Sequence, residues 1–92
     1  MASGKIQKIP TNYPYQTSGI INGNSSITVI CTIMVGVFGY SSAKNALFIC
    51  RNDSITPLIN AGSVITITRS GGVYTIKNNT TSEGLRYMIF YR

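Results

Sequence analysis

From residue 27 onward, apolar and polar positions alternate at a period of two, and clusters of Gly, Asn, Ser and Pro interrupt the alternation. That period marks strands with one buried face, since a helix would repeat its apolar positions every three to four residues. The longest run, Ile27 to Phe38, reads as one central strand. Its odd positions, Ile27, Val29, Cys31, Ile33, Val35 and Val37, make an unbroken apolar face. Its even positions start polar at Thr28 and Thr32, then turn apolar at Met34 and Phe38. A strand that is apolar on both faces is covered twice, by its own sandwich and by something beyond it. Leu85 to Tyr91 repeats the feature, with Leu85, Tyr87, Ile89 and Tyr91 on one side and Arg86, Met88 and Phe90 on the other. Met34, Phe38, Met88 and Phe90 are therefore expected at an interface between subunits.

The remaining segments fit the same class. Ala46 to Arg51 is expected to form a strand, and Pro57 to Asn60 a short edge strand. Ser63 to Arg69 and Val73 to Asn78 flank Ser70-Gly71-Gly72, a hairpin signature that sets Ile67 opposite Ile76 and Arg69 opposite Tyr74. Thr66, Thr68, Thr75 and Lys77 then share the solvent side. Residues 1–18 carry Pro10 and Pro14 and read as an extended arm, too broken by proline to join its own sheet. Residues 19–92 make up the domain, an all-β fold built as a small antiparallel sandwich of jelly-roll-like type with six to seven strands. Its expected core holds Val29, Cys31, Ile33, Val35, Phe48, Ile65, Ile67, Ile76 and Ile89.

Composition narrows the chemistry. The 92 residues contain no His and no Trp, and the only side-chain acids are Asp53 and Glu83. A Ser-His-Asp arrangement and any His-ligated metal are thereby excluded. Asp53 and Glu83 both sit in turns rich in Asn, Ser and Thr, where acids ordinarily solvate a loop, so no carboxylate pair for glycoside hydrolysis is expected. The expectation is a protein that is not an enzyme and uses no cofactor. Polarity comes from ten Ser, ten Thr and eight Asn. Eight Lys and Arg give a net charge of +6, which favours anionic partners. The cations are scattered, with no two adjacent, so nucleic acid is an unlikely partner, although a small basic nucleic-acid-binding β-barrel is the alternative reading.

Cys31 and Cys50 lie inside apolar runs and are expected as reduced core thiols; a disulfide would need neighbouring strands within bonding distance. No apolar stretch reaches the length of a spanning helix, and no leader pattern opens the chain. The expectation is synthesis in a cytoplasm, no membrane insertion, and Asn-x-Ser/Thr triplets without glycans. Six of nine aromatics are Tyr, whose ring offers an apolar face and a hydroxyl to a sugar. Tyr13, Tyr15, Tyr40, Arg51, Asn52 and Asp53 are the candidate ligand-binding residues, and half-buried packing at strand ends is the competing role for the tyrosines.

The opening Gly4-Lys5-Ile6-Gln7-Lys8-Ile9, the hairpin over 63–76 and the terminal Arg86-Tyr87-Met88-Ile89-Phe90-Tyr91-Arg92 resemble small β-domains of phage and prophage tail-fibre and receptor-binding proteins. The resemblance spans most of residues 19–92 and implies a homotrimeric β-sandwich that contacts a host-surface saccharide and is virion-associated. Such domains ordinarily follow a shaft, so a chain opening on Met1 is expected as an accessory protein, a decoration protein or a fragment. A bacterial sugar-binding domain is a further alternative.

Overall fold

The computed structural model describes residues 13–92, and residues 1–12 of the expected arm lie outside them. Eight strands occur among the described residues: β1 (Tyr15–Ile21), β2 (Ser26–Ile30), β3 (Ile33–Ser41), β4 (Lys44–Arg51), β5 (Ser54–Ala61), β6 (Ile65–Ser70), β7 (Val73–Asn78) and β8 (Leu85–Tyr91). They form two antiparallel sheets, ordered β1-β8-β3-β4-β5 and β2-β7-β6, which pack as a sandwich. The β1/β8 pair in one sheet continues as the β2/β7 pair in the other, the ribbon wrap of jelly rolls, while β3, β4 and β5 form a simple meander.

The strand count is eight because the long run at 27–38 is two strands in different sheets. The chain changes sheet at Cys31–Thr32. There the Thr32 and Ile33 amides donate to the Arg92 carbonyl at 2.8 and 3.2 Å, and the Asn52 amide donates to the Thr32 carbonyl at 2.8 Å. Val29 points inward on β2, and the next inward residue on the new sheet is Met34. That odd step reverses the phase. Met34 and Phe38, expected at an interface, are core residues at 0% and 1% exposure. Ile33 and Val35, expected in the core, are half-buried on the outer face instead.

The arm is corrected as well. Tyr15 to Ser18 belong to β1, which pairs with β8 from Tyr15↔Tyr91 to Ile21↔Leu85. No proline falls within 15–21, so every residue of this strand can donate to the ladder. β5 is longer than the expected 57–60 segment. It does lie at a sheet edge, where Pro57 needs no inward donor, and a bulge at Leu58 shifts its register.

The β6–β7 hairpin has the anticipated register, Ile67↔Ile76 and Arg69↔Tyr74. Its turn needs left-handed backbone at both Gly71 (φ 59°) and Gly72 (φ 79°), which glycine adopts without a Cβ penalty. Ile65, Ile67, Tyr74 and Ile76 from this hairpin meet Ile21, Phe38, Phe48, Leu85 and Ile89 from the larger sheet in one core. Phe38 and Phe48 meet edge to face at 6.3 Å. The Phe38 ring covers Gly36, where an added Cβ would come within 2.7 Å of it.

Candidate functional site

The expected ligand-binding residues do not converge. Tyr15 stacks on Tyr91 with ring centroids 5.5 Å apart, at the end of the sandwich that also carries the β4–β5 turn. Arg51, Asn52 and Asp53 form that turn and are exposed. Tyr13 is half-buried ahead of β1. Tyr40 lies beside the β3–β4 turn at the other end, with Lys44 Nζ 5.9 Å from its ring centroid. It is six residues along β3 from Met34, the residue paired with Tyr91, or roughly 20 Å at ~3.3 Å per residue.

Near the β4–β5 turn the polar groups serve the fold. The Tyr74 hydroxyl is 2.7 Å from the Asn52 carbonyl and 3.0 Å from the Thr32 carbonyl, so its single proton ties the sheet crossover to the turn. Burial pushes the Tyr74 hydroxyl above its ordinary pKa, with Arg69 opposing. Arg69 lies over the Tyr74 ring at 5.1 Å and donates from Nη2 to the Cys31 carbonyl at 3.2 Å. Its Nη1 stands 3.5 Å from Asp53, whose side chain is 89% exposed; an ion pair of that length in solvent contributes little. Both cysteines are free thiols. Burial, with Cys31 adding to it, pushes Cys50 up to about 11, and burial raises Cys31 against the pull of Arg69. At neutral pH both therefore stay protonated and are poor nucleophiles.

At the opposite end, Asn78 is wholly buried, and both its amide nitrogen and its carbonyl oxygen are hydrogen-bonded. Its Nδ2 donates to the Ile21 carbonyl (2.8 Å) and the Glu83 carbonyl (2.7 Å). Its Oδ1 accepts from the Thr80 amide (2.9 Å) and lies 2.8 Å from the Thr80 hydroxyl. Engagement of both atoms locks the 79–84 loop and leaves neither free for a ligand. Glu83 is likewise engaged, by Lys44 at 2.6 Å.

The two outer faces of the sandwich differ sharply. The three-stranded sheet presents Ser26–Lys77–Thr66 and Thr28–Thr75–Thr68 in register, a polar array. The five-stranded sheet presents Met88–Val37–Leu47–Ile59 in one row and Phe90–Val35–Ile49 in the next. Val37 and Met88 are 48% and 43% exposed. Of the four residues expected at an interface, Met88 and Phe90 thus stand on this face, and their outward neighbours on β3 are Val35 and Val37. Ile49, Leu47 and Ile59 complete the patch and were missed by the sequence reading. The available signal was the run Ala46-Leu47-Phe48-Ile49-Cys50, which is apolar at both parities.

Toward the β1 corner of this face lies a groove of about 770 Å³ lined by Ile20, Val37, Gly39, Asn45, Arg86 and Met88. Gly39 faces outward between Arg86 and Asn45, and an added Cβ there would touch nothing within 4 Å. Among the described residues, no three of His, Cys, Asp and Glu come together as a metal site. The chain matches no protein-family model, no curated protein and no solved structure.

Proposed function

We propose that the protein is a non-enzymatic structural and adhesive module that works as a closed homo-oligomer, assembled through the outer face of its five-stranded sheet. One observation carries the reading: seven apolar side chains in two registered rows, Met88–Val37–Leu47–Ile59 and Phe90–Val35–Ile49, face away from the core between the two sheets. Exposed patches of this continuity usually mark interaction surfaces. Five strands at ~4.8 Å and about seven residues at ~3.3 Å give a face of roughly 550 Å² in projection. That approaches the ~800 Å² of accessible surface that each partner buries in a standard interface. A second copy supplies the same apolar surface, and symmetry closes the assembly.

The resemblance to phage tail-fibre and receptor-binding domains adds three further elements to the proposal: a trimer, association with a virion, and contact with a host-surface saccharide. The nucleic-acid alternative has less support. Among the described residues, Arg51, Arg69 and Arg92 lie toward one end, Lys44 and Arg86 toward the other, and Lys77 on the threonine face, which does not make a basic stripe along the sandwich. Multi-angle light scattering between ~1 and ~100 µM tests the central claim. A mass two or three times 10.0 kDa that falls to the monomer in Ile49→Asp is the expected result. A monomer throughout that range refutes it.

A further inference from the structure

We infer that the groove over Gly39 binds a free medium-chain alkyl carboxylate, with Arg86 holding the head group and Ile20, Met88 and Val37 holding the chain. Three observations lead there. The first is shape. Gly39 sits between Arg86 on β8 and Asn45 on β4, and the side chain it lacks leaves a trough in an otherwise covered sheet face. Its volume of about 770 Å³ lies in the small-ligand range of roughly 300–1,000 Å³.

The second is charge. Arg86 is exposed and makes no side-chain hydrogen bond or ion pair among the described residues. The chain cannot readily supply its counter-ion from a side chain. Its only side-chain acids are Asp53, beside Arg69 near the far end, and Glu83, held by Lys44 at 2.6 Å. The sequence of residues 1–12 adds Lys5 and Lys8 and no acid. An anion that pairs with Arg86 would therefore come from another molecule. Asn45 does not compete for it, because its Nδ2 donates to the Ser41 and Ser42 carbonyls at 3.1 and 2.8 Å.

The third is lining. Beyond the guanidinium the walls are mainly Ile20, Met88 and Val37, which desolvate methylenes, with Ser18 and Tyr87 along the β1 side. A single cation at one end of an apolar trough matches a single anion at one end of an alkyl chain. Val37 and Met88 belong to both surfaces, so the ligand and a second copy compete for them and ligand binding is read on the monomer.

Nuclear magnetic resonance titration of the full chain with hexanoate, octanoate, decanoate and octanol tests the assignment, with light scattering on the same samples. Shifts should cluster at the Gly39 amide and the Met88 methyl, and affinity should rise about two- to fourfold per methylene, the upper value being that of full burial. Octanoate should bind about fivefold tighter than octanol, and Arg86→Gln should erase that difference. Gly39→Val suits a strand and meets no steric clash, so it should keep the melting temperature while weakening octanoate at least ~10-fold. Shifts scattered over other apolar sites, octanol binding as tightly as octanoate, or unchanged affinity in Gly39→Val would each overturn the inference. Because the scattered mass is read separately, a chain that stays monomeric and binds octanoate refutes only the oligomer, and a monomer obtained by dilution or in Ile49→Asp that ignores octanoate refutes only the ligand.

Discussion

Replacing Asn78 removes the one polar side chain that the sandwich buries completely among its described residues. In Asn78→Ala, the Ile21 and Glu83 carbonyls lose donors at 2.8 and 2.7 Å, and the Thr80 amide loses its acceptor at 2.9 Å. Each buried group left without a partner costs about 1–3 kcal/mol, and partial relaxation of the 79–84 loop returns some of that. The expected loss is about 3–5 kcal/mol, a large share of the ~5–14 kcal/mol typical of a chain this size. Asn78→Asp gives a sharper result. A carboxylate there would face the same two carbonyl acceptors, so the folded state favours the protonated acid and raises its pKa above the unfolded value. Stability is then greatest below pH ~4 and is lost as pH rises through the folded-state pKa, the reverse of a salt-bridged carboxylate. Urea unfolding followed by circular dichroism at several pH values measures both variants. A loss below ~1 kcal/mol in Asn78→Ala, or an Asn78→Asp variant that gains stability from pH 4 to 7, would refute the reasoning.

Neighbouring residues on β3 should respond in opposite ways. Phe38→Asp places a charge in the core and should abolish folding, whereas Val37→Asp should stay folded and lower the scattered mass, as circular dichroism and light scattering would show. Gly36→Ala drives a Cβ to 2.7 Å from the Phe38 ring and should cost about 1–3 kcal/mol, while Gly39→Ala should be close to neutral in the same denaturant assay. Burial raises the Cys50 and Tyr74 pKa values, so both bind protons more tightly folded than unfolded. Stability should accordingly be complete below pH ~9 and decline toward pH ~11, with the decline reduced in Cys50→Val.

The parts of this fold legible in the sequence are those decided locally. Ser70-Gly71-Gly72 between two alternating runs specified the β6–β7 hairpin to the residue pair, because a two-glycine turn permits few registers. The break at Cys31–Thr32 had no such mark. Neither residue is a turn former, the period of two passes through unbroken, and the crossover is held by partners distant in sequence: the Arg92 carbonyl accepts from the Thr32 and Ile33 amides, and the Asn52 amide donates to the Thr32 carbonyl. That tertiary event set the phase of β3, and phase alone decides which of two apolar faces meets the core. The doubly apolar character of β3 and β8 was therefore readable, and the identity of the outward residues on β3 was not. The candidate ligand residues do not come together for a related reason: Tyr40 and Arg51 are eleven positions apart in sequence, but the β3–β4 hairpin sends them to opposite ends.

The contrast between faces and edges says how such a module would associate. Edge pairing is discouraged at several points. β5 carries Pro57 and the Leu58 bulge, both poor templates for another strand. β6 begins with Ile65, whose amide and carbonyl are occupied by the Asn60 side chain at 3.2 and 3.0 Å, as an added strand would occupy them. The threonine rows of the smaller sheet are already solvated by their hydroxyls, so burying them against a neighbour gains little. Among the described residues, the outer face of the larger sheet gains most from being covered; on the smaller sheet only Ile30 stands out as a large exposed apolar side chain. A molecule with one apolar face and a polar back reaches its optimum when identical faces meet and exclude water together. In the proposed assembly, further copies would meet a back that is mostly Ser, Thr and Lys apart from Ile30, which favours a closed particle over a fibre.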